Sequence, residues 1–364
     1  MKFKTLRNIA LLGLLACIHT PAKAQSIPED STSAVILAYH RIGEDAYPET
    51  NLRIEQFAEQ VQELVNGNYN IIPLPDLINA LKNDTKLPAN TVSITFEGAY
   101  RSALENAAPI LLEHKVPFTI FYASDLADTN SQQYMSWQDL KKMENTKLVT
   151  FGLLPAAYVR LSESSTEDIL SELNKARSKH RENLTSEPLL FSYPFGEYSE
   201  IYKNLIKEQG FLAAFGLQSG VAYAAEDLFS LPRFSITESY GDISRFQMIA
   251  QALPLPVTDV EPAYSFLNDN SPAIGFTLPD SLKESSDKLS CFASGVPEVS
   301  TEIIGDRRVE LRLSAPLQEE RSRINCTMPG LQKALDETPS WRWYGMLLVH
   351  RSSEDINQEE PALP

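Results

Sequence analysis

In the stretch Thr91-Val92-Ser93-Ile94-Thr95-Phe96-Glu97-Gly98-Ala99-Tyr100, Val92, Ile94 and Phe96 alternate with Ser93 and Thr95. Alternation with β-branched residues predicts a buried strand. The strand ends in a carboxylate and a glycine, and a helical pattern follows from about Arg101 to His114, with Leu104, Ala107, Ala108, Leu111 and Leu112 on one face. In βα architectures, chemistry gathers on the C-terminal tips of strands. Glu97 is therefore a candidate site residue. The plainer reading makes it a solvated turn residue or a carboxylate at a helix start.

The same alternation of strands and helices extends to both sides. Strands are expected at Ala34–Tyr39, 69–74, 117–122, 148–152 and 189–193, with extended stretches at 211–217 and 228–234. Helices are expected around Phe57, Val61 and Leu64, and at 75–81, 137–143, 166–182, 197–209 and 243–252. This spacing predicts a parallel α/β barrel or sheet. Right-handed crossovers would place all strand tips on one face. Those tips are His40, Glu97, the loop 153–158 and the turn 193–198.

The pattern changes at Leu253-Pro254-Leu255-Pro256. Short extended runs at 273–278, 289–293, 309–313, 322–326 and 341–349 then predict a small all-β sandwich. Trp341, Trp343 and Tyr344 suit either a sugar-stacking face or the sandwich core. The organisation read from the chain is thus a leader at 25–33, an α/β domain at 34–253, a β-domain at 254–351 and an acidic tail at 352–364. No internal repeat or phosphate-cradling glycine loop is present.

The first 24 residues read as a secretion signal. Lys2, Lys4 and Arg7 precede the apolar run 9–18, and Ala22-Lys23-Ala24 is a small-x-small cleavage site. Leu14-Leu15-Ala16-Cys17 also fits a lipobox, so a lipid anchor on Cys17 is the alternative. No transmembrane span is expected in the mature chain. Export to the periplasm or the extracellular space leaves Cys291 and Cys326 as a pair in an oxidising compartment, either bridged or as two buried thiols. The net charge is −16 over the 364 residues, and it becomes −20 once four basic and no acidic residues leave with the signal. So acidic a chain is a poor nucleic-acid binder, whereas a neutral glycan or an amine-bearing polysaccharide remains compatible.

The strand-tip motifs together resemble the NodB-homology polysaccharide deacetylases, carbohydrate esterase family 4. Ala38-Tyr39-His40-Arg41-Ile42-Gly43 is similar to the opening strand of the branch containing poly-N-acetylglucosamine deacetylases. Thr95-Phe96-Glu97-Gly98-Ala99-Tyr100 stands where the family has Thr-Phe-Asp-Asp-(Gly/Ala)-Tyr. Phe191-Ser192-Tyr193-Pro194-Phe195-Gly196-Glu197-Tyr198 resembles that branch's Phe-Ala-Tyr-Pro-Tyr-Gly-Glu-Tyr. Gly210-Phe211 through Gly220 and Leu231-Pro232-Arg233-Phe234 are similar as well. So are the C-terminal Arg321–Thr327 and Trp341-Arg342-Trp343 stretches. The resemblance implies a distorted (β/α) barrel followed by a β-domain. It also implies metal-assisted amide hydrolysis, in which one Asp and two His hold a divalent metal such as zinc.

Against that pattern, Glu97 replaces the base, Gly98 the metal-binding Asp, and Leu154 and Tyr158 the two His. His114, His180 and His350 lie elsewhere and read as surface or packing residues. No metal or other cofactor is expected, because the ligands are absent. General-base help is worth only ~10²–10⁴-fold. Metal-bound water, by contrast, has a pKa of about 7, against roughly 16 for bulk water. The expected protein is a catalytically silent deacetylase homologue that binds an N-acetylglucosamine-type glycan in the old cleft, or assists exopolysaccharide modification or export. Tyr158, Tyr193, Pro194, Gly196 and Arg233 are the expected glycan contacts. One alternative is residual hydrolysis with Glu97 as base and His40 as acid. The other is an interaction protein acting through its β-domain.

Overall fold

Strand β2 (Thr91–Glu97) turns Val92, Ile94 and Phe96 toward a layer of helices and Ser93, Thr95 and Glu97 the other way. The computed structural model describes residues 27–129, 131–267, 270–333 and 339–350. The secretion segment with Cys17, the side chain of His350 and the acidic tail lie outside the described residues.

Six parallel strands stand side by side: β1 (Ser33–Tyr39), β2, β3 (Phe118–Tyr122), β4 (Val149–Leu153), β5 (Leu190–Ser192) and β6 (Ala213–Phe215). The stretch expected to be extended over 228–234 forms a ladder only at β7 (Phe234–Ser235). There it pairs with β1, and Leu231 bridges back to Phe215 on β6. The segment 231–235 therefore touches both the first and the sixth strand and closes the curled sheet into a distorted barrel. Ile36, Phe121, Leu190, Phe215 and Leu231 fill the interior.

Outside lie α1 (Ile54–Asn66), α2 (Leu74–Lys82), α3 (Ala108–Glu113), α4 (Trp137–Glu144), α5 (Thr166–Asn183), α6 (Glu200–Glu208) and α7 (Ile243–Ala250). The single helix expected over 101–114 is split, with a π-helical turn at Ala103–Ala107 before α3. Pro109 explains the break. It has no N–H to give, and its ring would collide with the carbonyl of Glu105 in a regular helix. Ser136, Ser165 and Asp242 cap α4, α5 and α7 by accepting from the backbone N–H three residues on.

The C-terminal region is two sheets facing each other across a shared core. One contains β8 (Thr258–Glu261), β9 (Ile274–Thr277), β11 (Val299–Ile304) and β12 (Arg308–Leu313). The other is built on β10 (Ser290–Ala293), β13 (Arg321–Lys333) and β14 (Pro339–His350), the last two forming a long hairpin. Ile274, Phe276, Val309, Leu311, Ile324, Met328 and Leu348 fill the space between the sheets. Cys291 and Cys326 face each other across β10 and β13 and form a disulfide.

The expected leader is not free. Ile27 is buried in the sandwich core, and residues 28–32 form a 3-10 turn ahead of β1. Asp30 receives both guanidinium nitrogens of Arg342 from β14, at 2.6 and 2.9 Å, with Arg342 fully buried. The apolar Ile27 and the charged Asp30 tie the chain's entry to its last strand.

Candidate functional site

Interior-facing positions on β2 carry polar groups, and each finds a partner. Ser93 Oγ donates to the Ile72 carbonyl and Thr95 Oγ1 to the Leu37 carbonyl, both at 2.8 Å. Glu97, the last of the series, has no exposure. Its Oε2 accepts from Arg233 Nη2 at 2.6 Å and from Ser192 Oγ at 2.5 Å, and Tyr158 Oη donates to its Oε1 at 3.4 Å. Arg233 is equally buried. It also donates from Nη2 to Ser192 Oγ at 2.7 Å and from Nε to the Gly216 carbonyl at 2.9 Å. Burial pushes the Glu97 carboxyl up, but Arg233, His40 and the Ser192 hydroxyl outweigh it and hold the carboxyl below its ordinary value. The Glu97 carboxylate is thus ionised, paired and out of solvent.

The strand tips do converge, but they do not assemble a metal centre. Gly98 offers no donor atom, and its φ of 95° is a backbone state that glycine adopts without penalty. A Cβ there would lie 2.5 Å from Tyr100 Cε2. Leu154 is fully buried in the barrel's apolar interior. Tyr158 has a φ of 55°, and its ring stacks on Phe195 with centroids 5.5 Å apart and planes at 8°. Among the described residues no three His, Cys, Asp or Glu side chains gather to hold a metal ion. Glu97, His40 and Tyr158 do not fit a divalent metal in number or in type.

His40 is at a tip, as expected, but buried, and its Nδ1 has no hydrogen-bond partner. Burial lowers its pKa to about 4, with Glu97 opposing and Arg233, Arg41 and Arg323 reinforcing the shift. An imidazole in that state is neutral near pH 7. Burial, and then the charge of Glu97, push the Tyr158 hydroxyl well above the ordinary phenol value.

The β-domain covers the face where the tips meet. Arg321, the first residue of β13, donates from Nη2 to the Phe195 carbonyl and places Nε 3.0 Å from Glu197 Oε1. Arg160 approaches the same carboxylate at 3.5 Å and pairs with Glu320 at 2.9 Å. Glu197 is only 1% exposed beneath them. The guanidinium of Arg160 lies 4.8 Å from the centre of the Phe195 ring, and that of Arg321 lies 5.9 Å away. The old cleft is therefore filled by this chain's own side chains.

That filling corrects several expectations. Tyr193 is fully buried, points into the helix-facing core among Phe191, Tyr198 and Tyr202, and donates to the Phe229 carbonyl. Neither Tyr193 nor Arg233 has exposed surface in this structure. Pro194 and Gly196 are buried parts of a turn, with Gly196 at φ 77° against the Leu217 backbone. Tyr158 is half-buried, between Glu97 and the Phe195 ring. Trp343 packs edge-on against Phe234 at 5.2 Å, and Tyr344 packs against Phe276. Of the three aromatic residues considered for sugar stacking, Trp341 alone faces outward, at 36% exposure. His180 is a packing residue held by Tyr122 and the Ser186 carbonyl, and His114 is exposed.

Sequence reasoning did not single out Ser192, Glu197, Arg160, Phe195 or Arg321 as site residues. The signal for Ser192 and Arg233 was available. Ser192, like Arg233, which was singled out as a glycan contact, is a polar residue on an otherwise apolar strand stretch.

Comparison with known proteins agrees with this architecture. Residues 84–214 match the sequence model of the polysaccharide deacetylase family. A poly-β-1,6-N-acetyl-D-glucosamine N-deacetylase of Staphylococcus aureus is 25% identical over 194 residues, covering 50% of this chain and 67% of that protein. The enzyme of the same name from Escherichia coli is 22% identical over 284 residues, 64% of this chain but only 42% of the relative. Among solved structures, the Streptococcus pyogenes deacetylase PplD in complex with acetate superposes with a TM-score of 0.54 at 22% identity, over 58% of this chain and 95% of its own. IcaB from Ammonifex degensii gives 0.54 at 21% identity, over 61% and 98%. At these identities the structural likeness speaks for the fold.

Proposed function

We propose that this chain, whose residues 84–214 form a polysaccharide deacetylase domain, is a non-hydrolytic member of that group. It binds an N-acetylglucosamine-type exopolysaccharide or serves the machinery that modifies or exports it, on the outer side of the cytoplasmic membrane. The observation that carries this reading is the Glu97–Arg233 ion pair at zero exposure, with Tyr158 stacked above it. A carboxylate that already accepts from a guanidinium and a hydroxyl is a weak base, and no water can reach it. His40, neutral with a pKa of about 4, has no proton to give a leaving amine near pH 7. Residual hydrolysis by Glu97 and His40 would require the ion pair to open, at several kcal/mol for an uncompensated buried charge.

With the old cleft filled, glycan contact falls to other surfaces. That the relatives are poly-β-1,6-N-acetyl-D-glucosamine N-deacetylases supports the choice of glycan, and no helix among the described residues is long and apolar enough to cross a membrane. Two measurements on purified protein test the reading: metal content by plasma mass spectrometry, and acetate release from β-1,6-linked N-acetylglucosamine oligomers and acetylated chito-oligomers. The expectation is substoichiometric metal, no acetate release and saturable oligomer binding. Stoichiometric zinc with turnover overturns it.

A further inference from the structure

We propose that the cavity between the barrel and the sandwich is a binding site for an amino sugar, with the Glu226 carboxylate receiving its protonated amine. The choice of a sugar rests on the glycan reading above; the choice of an amine rests on the cavity itself.

The cavity measures about 300 Å³ and is lined from both domains. That is the lower end of the range for small-molecule sites. From the barrel side come Tyr198, Tyr223 and Glu226, and from the sandwich side Trp343 and Tyr344 on β14. The gap is held at fixed width by a close backbone approach. A Cβ on Gly345 would lie 2.2 Å from the Ser219 carbonyl oxygen, so only glycine lets β14 come this near.

The lining contains two carboxylates and no Lys, Arg or His. Asp227 is taken by Lys203 at 2.7 Å. Glu226 Oε2 is buried and has no hydrogen-bond partner. Glu226 as a whole is half-buried, but a carboxylate oxygen buried without a partner is costly, which favours the protonated group. Burial raises the Glu226 pKa well above its ordinary value; a bond from the Tyr223 backbone opposes this and the charge of Asp227 adds to it. The charge of the same carboxyl helps raise the hydroxyls of Tyr198, Tyr223 and Tyr344, which line the same cavity.

An entering ammonium group supplies the missing cation, and the carboxyl gives up its proton to solvent. Aromatic faces and phenolic hydroxyls suit the rest of a polyhydroxylated ring. A phosphate or carboxylate ligand would find no cation in the lining to pair with, and an N-acetylated sugar brings no positive charge to Glu226.

The experiment is isothermal titration with D-glucosamine, N-acetyl-D-glucosamine and D-glucose at pH 7, in two buffers of different ionisation enthalpy. Glucosamine is expected to bind at least tenfold tighter than the other two and to release about one proton per molecule bound. Glu226→Gln is expected to abolish both the preference and the proton release. Equal binding of the three sugars, no saturable binding, or a preference unchanged in Glu226→Gln overturns the proposal. The proton count is read on the native protein, so it stands even if the variant folds poorly. Detection of deacetylase turnover would remove the non-hydrolytic reading and leave this site intact; absence of an amine preference removes this site alone.

Discussion

Arg233 Nη2 lies 2.6 Å from Glu97 Oε2, and neither side chain is exposed to solvent. Glu97 stands on β2 and Arg233 on the segment that closes the barrel, 136 residues later. A pair this deep is worth little relative to an apolar substitute, but breaking it by removing one partner is severe.

Single removal should therefore be expensive and double removal mild. Arg233→Met is expected to cost about 3–5 kcal/mol, and Glu97→Gln a comparable share, because each strands a buried polar group. Glu97→Leu with Arg233→Met should cost far less than the two singles combined. Urea denaturation across the double-mutant cycle measures this, and additive costs would contradict it.

Acid should act on this site through two groups. Glu97 has a folded pKa below its unfolded value, so its contribution is complete above about pH 4.3 and is lost as pH falls through the folded pKa. His40 has a folded pKa of about 4 against roughly 6.5 unfolded, so the unfolded chain takes up the proton first as pH drops. Stability should fall between pH 6.5 and 4, by an amount on the order of 3 kcal/mol from His40. Melting temperatures of His40→Gln should be flatter than wild type in that window, and those of Glu97→Gln flatter only below it. Parallel curves for all three proteins would refute the assignment.

Restoring the acid at position 98 should not restore a metal site. Gly98→Asp places a side chain at φ 95° with its Cβ 2.5 Å from the Tyr100 ring. A cost of about 1–3 kcal/mol is expected, with no gain in zinc retention on equilibrium dialysis, even when combined with Leu154→His and Tyr158→His. Stoichiometric zinc in the triple variant would show that the tips retain ligand geometry.

Reduction should loosen the sandwich. The Cys291–Cys326 bridge closes a separation of 35 residues, for which chain entropy gives about 3–4 kcal/mol. Cys291→Ser with Cys326→Ser should lower the midpoint of unfolding and mimic the effect of dithiothreitol on wild type. An unchanged midpoint would place the bridge's contribution elsewhere.

The Asp30–Arg342 clamp gives a proteolytic prediction. Asp30→Ala leaves Arg342 buried with only the Pro254 carbonyl as a partner for Nη1. Cleavage by a non-specific protease within residues 27–33 should accelerate several-fold, with the barrel itself still resistant. Unchanged cleavage rates would mean that Ile27 alone holds the segment.

Much of this architecture is legible in local patterns. The alternation in β2 and the helical patterns of α4 and α5 are short-range signals, and these elements lie within a residue or two of expectation. Strands β8 and β11 were not expected: their solvent-facing alternation, as in Val299–Ile304, is polar enough to read as loop. The identity of the tips was legible too, because parallel strands with right-handed crossovers must bring His40, Glu97 and the 153–158 and 193–198 loops to one face. What they do there was not. The partner of Glu97 is chosen by barrel closure, and the lid residue Arg321 is brought in by a second domain. Both are long-range facts with no local signature. Polar residues 25–33 misled for the same reason: composition cannot show that Asp30 meets a guanidinium from the last strand.

The seam at residues 231–235 gives the site a mechanical property. Leu231 and Phe234 are stitched to the sixth and first strands, and Arg233 lies between those two stitches. The stave that completes the barrel and the counter-charge that pairs with Glu97 are one short piece of chain. To draw the backbone of Arg233 away from Glu97, the barrel would first have to be unzipped along its join. The burial of the ion pair is thus inherited from the integrity of the wall, and it should persist for as long as the wall stays shut.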